Sequence, residues 1–123
     1  PDVSIVPVAI KSSISESQRS ELAKWLESES KRGNFILVSS DMSHYLDESV
    51  AIKNDEATKQ ALVDSDADFF SSAKDAFTDN GPSIAAVIEA LRPREWRLIG
   101  QAISSDYAGS SGFTTTYLVG FWN

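Results

Sequence analysis

The sequence predicts a single α/β domain over residues 1–123, three-layered with a mixed sheet: a parallel β-α-β unit, central helices, and an antiparallel C-terminal strand pair. Three observations lead there. Residues 3–10 are almost continuously apolar and largely β-branched, as strands of parallel sheets are. A helix separates them from a second apolar run at 35–38, and a crossover of that length joins parallel strands with right-handed topology. The last third holds two runs rich in aromatic and β-branched residues, joined by a connection too short for a crossover.

In the first strand Pro7 has no N–H for a ladder, which places it at an edge or a bulge. Lys11, Ser12 and Ser13 lead into Ser15-Glu16-Ser17-Gln18, a capping box that opens the helix. Leu22, Trp25 and Leu26 form its apolar stripe, so Trp25 reads as a packing residue. Gly33-Asn34 ends it. The second strand breaks at Ser39 into hydroxyls, a carboxylate and the only histidine, His44. Side chains at the carboxyl end of a strand face the crevice in which open α/β sheets bind ligands. On this reading residues 11–13 and 39–45 leave the sheet at one edge, and two polar loops face one crevice.

Leu46-Asp47-Glu48-Ser49 is an acidic connection, followed by a helix capped at Asn54-Asp55 and containing Ala57, Ala61 and Leu62. A further helix is expected from about Ser65, with Phe70, Ala73 and Phe77 on one face. Pro82 suits the first turn of the next helix, which is apolar nearly all round over 83–91 and should be central and buried. Arg92-Pro93 stops it. Residues 96–104 and 113–122 are the C-terminal strands, linked by a Gly/Ser-containing, mobile stretch at 105–112.

A net charge of −7 argues against a nucleic-acid partner, which demands a basic footprint. No apolar run approaches the ~20 residues of a membrane span, and no signal-peptide pattern opens the chain. Cysteine is absent, which removes disulfides, thiolate ligands and Cys nucleophiles; a cytoplasmic setting is the default. The start at Pro1, without an initiator methionine, suggests a fragment or a processed chain.

Asp41 and His44 lie three apart, so one helical turn would place both on one face. As a pair, the carboxylate orients and charges the ring, and the imidazole moves a proton or binds a metal. The alternative is a turn-capping Asp41 beside a surface or satisfied buried histidine. A Ser/His/Asp triad from Ser39, Ser40 or Ser43 lacks the glycines of a nucleophile elbow. A metal shell would have to be completed by carboxylates, for instance a hard-cation site from Asp41, Asp79 and Asp106. The 105–112 loop is either an anion-binding run of backbone N–H groups or a hairpin linker. Arg92, Arg94 and Arg97 are either a phosphate site or a solvated connection.

Ser39-Ser40-Asp41-Met42-Ser43-His44-Tyr45 resembles the S-S-D-x-x-H-(W/Y) motif of the Memo family, also called AmmeMemoRadiSam system protein B and related to class III extradiol dioxygenases. Ser4-Ile5-Val6-Pro7-Val8 resembles the family's I-V-P-V strand. Asn80-Gly81-Pro82 with the helix at 84–91 resembles its C-G-x-G/H-P-I segment. Ser104-Ser105-Asp106-Tyr107 through Thr116-Tyr117-Leu118-Val119-Gly120 resembles its closing S-x-D…S-V-x-Y-A-A stretch. Together these segments cover almost the whole chain and correspond to the C-terminal half of the family's chain. The resemblance implies a cleft in which Asp41 and His44 carry catalysis and bind metal, lined by Ser40, Thr78, Asp79, Asp106 and Tyr107. In complete relatives it implies metal- or redox-linked chemistry with a transition metal (Fe, Cu or Zn).

The chain departs from the family pattern in two respects. The N-terminal half, which brings two further histidines, is not represented in this sequence. The family's site cysteine falls at Thr78, or at Asp79 if the loop is one residue shorter. The alternative is therefore a non-catalytic binding or scaffold module with a degenerate site. A missing N-terminal segment, a partner chain or a second copy is expected to cover an exposed apolar face.

Overall fold

A computed structural model describes residues 3–108 and 112–123. The order of elements is α1 (Glu16–Lys31), β1 (Met42–Leu46), α2 (Glu48–Asp64), α3 (Ala67–Ser72), α4 (Gly81–Leu91), β2 (Trp96–Ile103), α5 (Ser105–Ala108) and β3 (Thr114–Trp122). The capping box at α1 forms as its sequence demands, with Ser15 and Gln18 exchanging side-chain and backbone bonds. Trp25, expected to pack, is 42% exposed. No helix is long and apolar enough to cross a membrane among the described residues.

Helix α4 is the organising element. Nine of its eleven residues are buried, because it is flanked by apolar side chains on two sides. Ile84, Ala85 and Ile88 join Met42, Ala61, Leu62 and Phe70 on one side; Ala86, Val87 and Ala90 join Ala23 and Leu26 of α1 on the other. A helix that is apolar all round has no face to give to water. Asn80 caps it through Ser83 N, and Pro82 occupies its first turn. Gly81 lies so close to the end of α3 that an added Cβ would stand 2.2 Å from the Phe70 carbonyl oxygen.

The sheet differs from the expectation. It has three strands in the order β1-β3-β2, and every pairing is antiparallel. The mixed sheet with a parallel β-α-β unit is therefore corrected. Residues 3–10 and 35–40 form no strand and pair with none among the described residues. The reason lies in β1. Its inner edge is held by β3, and its outer edge is taken by residues 75–79, through Ser43 N to Phe77 O (3.0 Å), His44 N to Asp75 O (3.1 Å) and Asp79 N to Asp41 O (3.0 Å). No free β1 edge is left for the two apolar runs, and Pro7 weakens the first of them as a donor.

A second correction concerns residues 39–45, expected as a polar loop. Most of this stretch is β1 itself. Between Met42↔Thr116 and Leu46↔Thr114, four steps along β1 match two along β3. The excess is absorbed at Ser43 (φ 32) and Tyr45 (φ 53), a bulged strand with two left-handed residues. Such conformations persist where their surroundings over-determine them. Here the determinant is Asp55, entirely buried on α2. Its Oδ1 accepts from Ser43 Oγ and Thr116 Oγ1, both at 2.7 Å, and its Oδ2 accepts from Gln101 Nε2 at 2.9 Å. The cap expected at Asn54-Asp55 thus falls inside the helix, since α2 already begins at Glu48.

Candidate functional site

Asp41 lies just before β1 and His44 within it. His44 Nε2 sits 3.4 Å from Asp41 Oδ2. The pair is half-open, with side-chain exposures of 25% for His44 and 41% for Asp41. The Tyr45 ring tilts against the imidazole, with centroids 4.2 Å apart. Beside them, the loop entering α4 supplies Thr78 and Asp79. Ser40 Oγ donates to Asp79 Oδ1 at 2.6 Å, and its oxygen lies 2.7 Å from Thr78 Oγ1. Since Ser40 gives its proton to the carboxylate, the Thr78 hydroxyl donates to Ser40. Asp79 Oδ1 also accepts from the Asp41 backbone N–H at 3.1 Å.

Five of the residues expected in the cleft therefore meet: Ser40, Asp41, His44, Thr78 and Asp79. Asp106 and Tyr107 stand on α5, where Ser105 Oγ donates to Glu48 Oε2 (2.9 Å) and Tyr107 is 82% exposed. No hydrogen bond or ion pair links either of them to Asp41 or His44 among the described residues. Part of the 105–112 loop considered for anions lies outside the described residues.

The arrangement has a definite chemical character. The Asp41 and Asp79 carboxyl groups, the Ser40 hydroxyl and the His44 imidazole reach the surface here, a set that suits neutral or cationic groups that donate hydrogen bonds. With Nε2 turned to Asp41, Nδ1 is the ring nitrogen of His44 left for another partner. As a metal site the set falls short. Among the described residues no three His, Cys, Asp or Glu groups come together to hold an ion, and the hard-cation set of Asp41, Asp79 and Asp106 is not assembled. Thr78 is buried and bonded to Ser40.

The serines do not form a triad. Ser43 is fully buried with its hydroxyl on Asp55, and Ser40 is bonded to Asp79. The arginine trio also disperses. Arg92 is the left-handed cap of α4, while Arg97 makes a two-point contact with Glu95 (3.2 and 3.1 Å). The Arg97 guanidinium holds the Glu95 carboxyl below its ordinary value, and Glu95 raises Arg97 in turn.

Sequence reasoning missed Asp55, which shapes the strand under the site. A signal was present: Ala51, Asp55, Thr58 and Leu62 fall at helical spacing on one face, and all four are buried. No protein-family model, no curated protein and no solved structure matches the chain.

Proposed function

We propose that this domain provides one wall of a Memo-like cleft, with the Asp41–His44 pair as its proton-handling and ligand-contacting element. The single observation that carries this reading is the approach of His44 Nε2 to Asp41 Oδ2 at 3.4 Å, at the start of a bulged strand. The motif similarity at residues 39–45 supports the family assignment. A ligand would meet His44 Nδ1, the Ser40 hydroxyl and the Asp79 carboxyl group, with Thr78 buried behind them. By its charge it would be neutral or cationic and rich in hydrogen-bond donors.

On this reading the chain alone binds rather than catalyses, because its donor set is too small to complete a metal centre. The non-catalytic reading is favoured by Thr78, whose hydroxyl is engaged by Ser40 where a metal-binding relative has a thiolate. Two-dimensional amide NMR tests the proposal with a small amine, a polyol and inorganic phosphate as probes. Amides at 40–45 and 78–80 should shift with the first two and not with phosphate, and the shifts should be lost in His44→Ala. Shifts scattered away from these segments, or caused by phosphate alone, would defeat the reading.

A further inference from the structure

Residues 3–14 form an arm without helix or strand that leads into α1. Its side chains join neither apolar cluster around α4, and Val3, Ile5, Val6 and Val8 are exposed. Against α1 the arm leaves an open cavity of about 280 Å³, lined in part by Val8, Ile10, Ile14 and Leu22. Among the described residues a single hydrogen bond ties the arm to the rest of the chain: Asn80 Nδ2 donates to Ile10 O at 2.7 Å. The other end of the same carboxamide, Oδ1, accepts from Ser83 N at 3.4 Å and caps α4. One side chain therefore holds the arm with its nitrogen and the helix with its oxygen.

That side chain also opens the one Asn-Gly pair of the sequence. Asn-Gly is especially prone to lose ammonia, because glycine puts no side chain in the way of its own nitrogen. The Gly81 nitrogen attacks Asn80 Cγ, the Cγ–Nδ2 bond breaks, and ammonia departs with the proton the attacking nitrogen gives up. Water then opens the resulting succinimide to aspartate or isoaspartate. In the folded chain the carboxamide is held at both ends, and it cannot turn to the Gly81 nitrogen without leaving Ile10 and Ser83. An arm so thinly attached belongs to the parts of a fold that open locally, and opening it frees the amide nitrogen.

We infer that Asn80 is a deamidation site that acts as a one-way latch for the arm. The docked arm protects the amide. Once the arm lifts and the amide is lost, the arm is no longer held. Aspartate at this position keeps an oxygen for the Ser83 N–H, and Asp caps helices about as well as Asn. It offers no donor to Ile10 O and sets one acceptor against another, so the arm comes free while α4 stays capped. The inference shares no residue with the Asp41–His44 reading and needs no ligand there.

Peptide mass spectrometry after incubation at mildly alkaline pH tests the chemistry. Conversion of amide to acid should occur at Asn80, about tenfold faster in the urea-unfolded chain than in the native one. Brief trypsin digestion tests the latch, since Lys11 is exposed on the arm. Asn80→Asp and Asn80→Ser both keep a capping oxygen and lose the donor to Ile10. Each should be cut after Lys11 about tenfold faster than the wild type, with the α4 amides as protected from exchange as before. A native chain that deamidates as fast as the unfolded one, variants cut no faster after Lys11, or variants whose α4 loosens along with the arm each overturns the inference.

Discussion

Ser43 Oγ donates to Asp55 Oδ1 at 2.7 Å, joining a left-handed residue of β1 to a fully buried carboxylate of α2. Thr116 and Gln101 complete the set of donors around that carboxylate. The three strands and α2 are thereby tied to one side chain, and its β1 contact, Ser43, is two residues from Asp41 and one from His44. Burying a polar group is costly unless it is hydrogen-bonded, and here neutral donors satisfy both carboxyl oxygens.

Asp55→Ala should therefore be among the most damaging single changes. It leaves the donors of Ser43, Thr116 and Gln101 without their acceptor and should cost about 3 kcal/mol in urea unfolding. Ser43→Ala, which removes one donor from a carboxylate that keeps two, should cost less, about 1 kcal/mol. Equal effects of the two would show that Asp55 is not the hub.

Gly81 gives a test of opposite sign to the usual rule. Replacing glycine by alanine in a helix ordinarily stabilises by roughly 0.5–1 kcal/mol. Here the new methyl would meet the Phe70 carbonyl oxygen at 2.2 Å, so α3 and α4 must part. Thermal unfolding of Gly81→Ala should show a loss of about 1–3 kcal/mol. A variant more stable than wild type would refute the close packing of these helices.

The Glu95–Arg97 contact predicts a small pH effect. The Glu95 carboxyl is held below its ordinary 4.5, chiefly by its hydrogen bond to Arg97. Folding is thus favoured by this pair above that ordinary value, and the contribution fades as pH falls through the lowered one. Glu95→Gln should reduce the melting temperature slightly near neutrality and not at all in strong acid, and added salt should erase the difference. A gap that widens as pH falls would contradict the sign.

Serine-directed chemistry should fail. A fluorophosphonate probe should label none of Ser39, Ser40 and Ser43, since Ser43 is buried and Ser40 is hydrogen-bonded to Asp79. Labelling that disappears with Ser40→Ala would reopen the triad.

Local signals in the sequence were the readable ones. The capping box of α1, Pro82 at the start of α4 and the apolar periphery of 83–91 each depend on residues close in the chain. The antiparallel β2–β3 pair followed from a connection too short for anything else. Strand partners were not legible, because they are decided by competition. Residues 35–38 look like a central strand, yet the adjoining edge of β1 is taken by 75–79, which carries no strand pattern. The bulge at Ser43 and Tyr45 was hidden for a related reason: its cause, Asp55, lies twelve residues downstream of Ser43. The site followed the same division. Asp41 and His44 are close in sequence, whereas their neighbours Thr78 and Asp79 were placed by motif similarity rather than by any periodicity.

The claim that this chain holds part of a cleft rather than a finished metal centre is tested most directly by metal retention. Purified protein is equilibrated separately with Fe(II), Cu(II) and Zn(II) at micromolar concentration, dialysed, and assayed for bound metal beside His44→Ala. Two donors, Asp41 and His44, predict no stoichiometric metal on either protein. Stoichiometric metal on the wild type that is lost with His44→Ala would contradict the account.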